Sequence, residues 1–340
     1  MTISVRKLSA LALLGAVLVG CGGGAADTVG APDGPSAAPS SPASGAPTNP
    51  TPDASASAGA APGPAVARKA PPTMAPGPGG LTPVFERARK GGGKGGGKTG
   101  DKVVALTFDA DMTADQGRRA AGGERFDNPA LIETLRRLKV DSTIFMTGRW
   151  AEEYPDQARS IGTDPRFEIA NHSYSHYAFA SPCYGLPTVA KQDMAGDVRR
   201  AFDAFRKAGA RNVVPYFRFP GGCYDDGALR ALAPAKVTAV QWDVVSGDAF
   251  AKDGDAVAEQ VVDGVKPGSL VVMHCTRSAA PVTEQAIRKI VPELRARGYR
   301  FVKVSELMAG SETGAGSGTG AGSETGAGSG TGAGSGTDRP

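Results

Sequence analysis

An α/β fold on a parallel sheet, a distorted (β/α)7 barrel, is predicted for residues 101–309, and three observations predict it. Seven strand-like runs alternate with helix-like ones over that stretch. A full barrel of the common kind has eight repeats, so seven fits an incomplete or distorted one. The ionisable residues of interest fall just after the strands, on the rim where parallel α/β folds build their sites.

In chain order, residues 103–108 form the first buried strand run. Asn128 before Pro129 starts a helix, with Leu131, Ile132, Leu135 and Leu138 on one face. Strand 142–146, helix 148–161 and strand 167–170 follow. Residues 189–208 read as one long amphipathic helix carrying Met194, Val198, Ala201, Phe202 and Phe205. In strand 213–218, Pro215 marks an edge or an irregularity. The remaining alternation is helix 226–234, strand 237–242, helix 255–264, strand 269–274, helix 283–297 and strand 301–304.

The flanks are of another character. Residues 1–21 carry a basic start at Arg6 and Lys7, an apolar run too short to span a bilayer comfortably, and the ending Leu18-Val19-Gly20-Cys21. That ending resembles a bacterial lipobox with Cys21 as the lipidated residue, which implies export and a lipid anchor in the membrane; plain secretion is the alternative. Residues 22–100 are rich in Pro, Ala, Gly and Ser, with few large apolar side chains, and read as a disordered tether with a reach of roughly 50 Å. Within it, the short patch at residues 81–87 either docks on the domain or does nothing for the fold, and the second is favoured. Residues 310–340 repeat Gly, Ser, Thr and Ala and read as a disordered tail. The net charge of +4 owes part of its excess to Lys90, Lys94 and Lys98, and no run interleaves basic with aromatic residues. Nucleic-acid binding is therefore excluded.

The chain has three histidines. His172 and His176 stand four apart after the third strand run, and His274 ends the sixth. Histidine ligates metals and transfers protons near neutral pH. Asp109 and Asp111 follow the first strand, Arg218 closes the fourth, and Asp243 and Asp248 follow the fifth. Five separate elements thus deliver polar groups to one rim.

In order, Thr107-Phe108-Asp109, His172-Ser173-Tyr174-Ser175-His176, Arg218-Phe219-Pro220-Gly221-Gly222, Trp242 to Asp248 and Val271-Val272-Met273-His274 resemble the five motifs of the polysaccharide deacetylase (NodB-homology) domain, carbohydrate esterase family 4. The resemblance covers essentially residues 101–309 and implies a distorted seven-stranded β/α barrel. It further implies a divalent metal, usually Zn2+, on His172, His176 and an aspartate of the first motif, with an open position for water. Asp109 matches the general base, Arg218 the residue that orients it, His274 the general acid and Asp248 the carboxylate behind that histidine. Trp242 and Val272 match the wall of the acetyl pocket, and Gly221 the backbone N–H that meets the oxyanion.

Three positions depart from the family pattern. Ala110 stands where a second aspartate is usual, so Asp111 is assigned as the ligand; the other arrangement puts Asp109 itself on the metal. Gly221 replaces a common tyrosine, and Ala249 a tryptophan. The cysteines Cys183 and Cys223 both lie in loops on the site rim, which favours a bridge between them in an exported protein, with pairings to Cys275 as the alternatives. The function implied is removal of N-acetyl groups from an amino-sugar polymer such as peptidoglycan or a chitin-like chain. The alternatives are a polysaccharide O-acetyl esterase, as for acetylxylan, and a degenerate wall-binding protein.

Overall fold

The computed structural model describes residues 70–88 and 102–312. Cys21 with the leader, most of the tether and the tail after residue 312 lie outside the described residues.

The strands are β1 (Val84–Phe85), β2 (Lys102–Ala110), β3 (Ser142–Met146), β4 (Phe167–Asn171), β5 (Val213–Phe217), β6 (Thr238–Val240), β7 (Val244–Val245), β8 (Ser269–His274) and β9 (Tyr299–Phe301). Between and after them run α1 (Gly117–Ala121), α2 (Pro129–Arg137), α3 (Gly148–Glu153), α4 (Pro155–Thr163), α5 (Met194–Ala208), α6 (Asp226–Leu232), α7 (Gly254–Gly264), α8 (Thr283–Ala296) and α9 (Val304–Glu312). The strand order is β1-β6-β5-β4-β3-β2-β8-β7, with β9 also on β2. Every pairing is parallel. No pairing among the described residues joins β1 to β7, so the barrel has a gap there. All seven expected strands are present, and β1 and β7 are additional.

Side-chain alternation along β2 builds the two sides of the wall. Val104, Leu106, Phe108 and Ala110 join the large outer cluster under the helices, together with Ile287, Ile290 and Leu294 of α8. Ala105 joins the inner cluster, while Thr107 and Asp109 reach Arg218 inside the barrel. The start of α9 stoppers the inner cluster with Val304, Leu307 and Met308. Polar bonds fix that stopper. Glu168 accepts from Ser305 N–H at 3.0 Å and Ser305 Oγ at 2.6 Å, and Val304 N–H donates to Thr143 Oγ1 at 2.9 Å. Burial pushes the Glu168 carboxyl above its usual range even though Ser305 and Thr143 donate to it.

Four expectations need correction. The helix expected over 148–161 is two helices, because Pro155 lacks an N–H and starts a new first turn after Tyr154. The helix expected from 189 begins at Met194, after a 3-10 turn at Lys191–Asp193. The last strand ends at Phe301 rather than 304, because Val304 already belongs to the stopper helix, which also runs past 309. Finally, the patch at 81–87 does contribute. Val84 pairs with Ala239 and Phe85 with Val240, and Phe85 is buried. Arg87 meets Asp243 at 3.2 Å, and the Tyr216 hydroxyl donates to Pro72 O at 2.8 Å. Residues 70–88 are therefore an edge of the barrel rather than tether. As foreseen, Pro215 accompanies an irregularity: the β4–β5 register shifts between Ile169 and Asn171.

Phe85→Ala is expected to cost about 3 kcal/mol, as other buried aromatic truncations do. Urea unfolding measures it, and an unchanged midpoint would mean the edge strand contributes nothing.

Candidate active site

The base of the site is an ion pair buried from solvent. Arg218, directly after β5, is fully buried. Its Nη1 donates to Asp109 Oδ1 at 2.6 Å and its Nη2 to Thr107 Oγ1 at 2.9 Å, while Nε reaches Val240 O at 3.3 Å. The guanidinium lies 3.8 Å from the Phe145 ring centroid and 5.4 Å from that of Trp242. A buried charge left without such partners would be strongly destabilising. Burial opposes ionisation of Asp109, but Arg218 and the nearby His172 and His274 outweigh it and hold the carboxyl below its ordinary value. Asp109 is an anion at neutral pH.

Next to it stand the two histidines. Asn171, the last residue of β4, shapes their loop: its Nδ2 donates to Val198 O of α5, and its Oδ1 accepts from Ser173 N–H at 2.8 Å. Ser173 and His176 both take positive φ, 69° and 56°, and Ser173 Oγ accepts from His176 N–H at 2.8 Å. Tyr174 N–H donates to Asp197 on α5 at 2.6 Å. The Tyr174 ring lies close over Gly148, where an added Cβ would sit 2.4 Å from it. These contacts fix a sharply bent loop that turns both imidazoles inward, with ring centroids 5.0 Å apart.

His172 Nδ1 lies 3.0 Å from Arg218 O, so the Nδ1–H tautomer donates there and leaves the Nε2 lone pair free. His172 Nε2 is 3.7 Å from Asp109 Oδ2, and His176 Nε2 is 3.9 Å from Asp111 Oδ2. Burial lowers His176 to about 4 against the pull of Asp111, so this ring is neutral at pH 7. Ala110 does not remove the carboxylate from the site. In an extended chain residues 109 and 111 face the same way and 110 faces the opposite way. Ala110 accordingly fills the outer core, and Asp111 is held at the site by Thr276, whose Oγ1 donates to Asp111 Oδ1 at 2.8 Å and accepts from its N–H.

A second dyad adjoins the first. Residue His274 of β8 is the register partner of Asp109 on β2. Its Nδ1 lies 2.7 Å from Asp248 Oδ1, and Asp248 Oδ2 accepts from His274 N–H and from Thr283 Oγ1. Burial works against the His274 imidazolium, yet the bond to Asp248 overcomes it and raises the ring to about 10. Its Nε2–H is thus the proton left for donation. Val272 lies buried two residues earlier on the same strand.

The structure forms the Cys183–Cys223 disulfide, and Cys275 is a buried free thiol. Burial pushes that thiol up to about 12, which leaves it inert as a nucleophile. The disulfide also explains the missing tyrosine at 221. Gly221 has φ 65°, and a Cβ there would lie 2.7 Å from Cys183 Sγ. At Gly222, φ 73°, a Cβ would meet the Trp242 ring at 2.6 Å.

The donors fit a divalent cation in kind: two imidazoles whose Nε2 atoms each lie beside a carboxylate, with His172 oriented by a backbone carbonyl. Among the described residues no three of these side chains close into a ligating set. Asp109, Asp111, His172, His176, Arg218, Asp248 and His274 are linked through these contacts, and Trp242 joins them through Arg218. Asn171, Asp197, Thr276 and Thr283 are the supporting residues that sequence reasoning missed. Thr276 alone left a signal, as the second residue beyond His274.

Gly221→Ala is expected to destabilise the chain by about 1–2 kcal/mol, since it adds a Cβ at a left-handed position against the disulfide. A urea midpoint equal to the parent's would contradict that account of the glycine.

Residues 96–240 match the family model described as polysaccharide deacetylase. A peptidoglycan-N-acetylglucosamine deacetylase of Bacillus cereus is 28% identical over 211 residues, covering 61% of this chain and 89% of that protein. A chitooligosaccharide deacetylase of Azorhizobium caulinodans is 28% identical over 182 residues, covering 50% and 83%. Two solved structures share the fold. A peptidoglycan N-acetylglucosamine deacetylase superposes with a TM-score of 0.52 at 23% identity, over 67% of this chain and 92% of that one. A CE4 family pseudoenzyme from Bacillus anthracis does so with a TM-score of 0.51 at 22% identity, over 66% and 68%. The five motifs are gathered on one rim, and the stretch that carries the first three of them, residues 96–240, matches the polysaccharide deacetylase family.

Proposed function

We propose that this chain is a polysaccharide deacetylase that removes N-acetyl groups from an amino-sugar polymer of the cell wall, in a metal-dependent reaction. The observation that carries the reading is the juxtaposition of two dyads in adjacent strand positions. Asp109 is held anionic by Arg218, and His274 is held protonated by Asp248. A binding module has no need of a base with its orienting cation beside an acid with its orienting anion. The relatives named for peptidoglycan and chitooligosaccharide support an amide in an amino sugar over an ester.

In this reading His172, His176 and Asp111 hold the cation, Zn2+ by the chemistry of its ligands. When bound, such a cation polarises the acetyl carbonyl and makes a water molecule acidic. The chain's own groups do the rest. Asp109 Oδ2 takes the proton from the attacking water, and Arg218 keeps the carboxylate in place. His274 Nε2–H gives its proton to the departing sugar nitrogen, and Asp248 fixes the tautomer that presents it. Gly221 offers its N–H to the oxyanion, and Trp242 and Val272 line the acetyl methyl. The lipobox-like ending at Cys21 supports an exported domain anchored by lipid at the outer face of the membrane, near wall polymer.

Acetate release from wall fragments, chitin oligomers and acetylated xylan, with and without chelator, tests the reading. Release from the first two that chelator abolishes and added Zn2+ restores is expected. Release from xylan alone would replace the amide reading with the ester one, and no release from any polymer would leave a wall-binding protein.

Paired variants separate the two aspartates. Asp111→Ala is expected to lose bound metal, whereas Asp109→Asn keeps it and loses turnover by a hundredfold or more, as removal of a general base does (about 10²–10⁴). The reverse pattern would exchange their roles. For Asp248→Asn, burial then dominates at His274 and its pKa falls, so the basic limb of the rate profile moves to lower pH. A limb that stays in place would remove His274 from the acid's role.

A further inference from the structure

Two large side chains stand out by exposure: Tyr184 at 89% and Phe250 at 81%. Both also hold the left-handed backbone conformation, with φ of 48° and 60°. An aromatic residue there is strained, and neither ring gains burial in return. Strain of that kind persists where surrounding contacts impose it. For Tyr184 the imposing contacts are the Cys183–Cys223 bridge on one side and a tight turn on the other, closed by Leu186 N–H to Cys183 O at 2.9 Å. For Phe250 the N–H is tied to Ala279 O at 2.7 Å, and Ala251 N–H is tied to Asp248 O.

Their places relative to the dyads give the strain a use. The Tyr184 ring edge lies 3.3 Å from the point a Gly221 Cβ would occupy, so it overhangs the loop where an aromatic side chain is missing. Gly222 then meets Trp242, which faces Arg218. Phe250 follows the acid's partner Asp248 by two residues. In strand order, Tyr184 belongs to the loop after β4 and Phe250 to the loop after β7, so the two bracket Asp109 on β2.

We infer that Tyr184 and Phe250 are sugar-stacking residues on either side of the reacting amide, which select an internal residue of an amino-sugar chain over a short oligomer. The apolar C–H face of a pyranose suits an exposed, rigidly presented ring, and a clamped aromatic loses little conformational freedom on binding. The inference rests on the amino-sugar reading above and names how the chain is gripped.

The test compares acetate release from N-acetylglucosamine oligomers of two and six sugars by the full chain, Tyr184→Ala, Tyr184→Trp, Phe250→Ala and Tyr184→Gly. The parent is expected to prefer the hexamer. Each alanine variant is expected to raise KM for the hexamer by up to about tenfold, shrinking that preference while kcat holds nearly constant. Tyr184→Trp restores it. Tyr184→Gly relieves the backbone strain, so its Tm rises or holds while its hexamer KM still climbs, which a merely structural tyrosine would not show. Alanine variants that keep the parent's length preference overturn the inference alone. A parent inactive on every oligomer overturns it together with the amino-sugar reading.

Discussion

The site depends on one buried ion pair. Arg218 has no access to solvent, and its charge is stabilised by Asp109, by Thr107 and by two aromatic faces. That arrangement has structural consequences beyond the pair. The Arg218 carbonyl also meets His172 Nδ1, so the residue that holds Asp109 also sets the tautomer of the first histidine. Asp109 in turn lies level with His274 on the neighbouring strand. A shift of β5 against β2 would therefore disturb Asp109, the histidine pair and His274 together.

The barrel protects this pair from both ends. Below it, Glu168 and Thr143 tie down α9, whose Val304, Leu307 and Met308 fill the interior. Above it, loops bent by Asn171, by Thr276 and by the disulfide carry the polar groups. The two ends use different physics. The lower end is apolar burial with a few satisfied polar bonds. The upper end is a network of hydrogen bonds that reach the polar groups from helices, from neighbouring loops and from within their own loop.

Much of this was legible in the residues themselves. Alternating strand and helix patterns located all seven expected strands, and the strand-end positions of Asp109, His172, His176, Arg218, Asp248 and His274 foretold their convergence. Asp111 was legible too, since a two-residue spacing returns a side chain to the same face. What escaped had weak or misleading signals. Residues 84–85 are two apolar positions in a Pro- and Gly-rich stretch, and only pairing with β6 makes them a strand. The spacing of Val304, Leu307 and Met308 is helical, but the β-branched pair Val302 and Val304 reads equally as strand. Asn171, Asp197 and Thr283 act by bonds across the sequence, for which local pattern carries no sign.

The relation between the two dyads is the central claim, because it turns a shared fold into a hydrolytic centre; a pseudoenzyme has the same fold. Arg218→Met tests it most directly, since it keeps side-chain length and removes the charge that holds Asp109. With folding verified by circular dichroism and bound metal measured, acetate release from chitin oligomers should fall by about a hundredfold or more while the His172–His176 pair still takes up Zn2+. Undiminished release by a folded Arg218→Met chain would contradict the account.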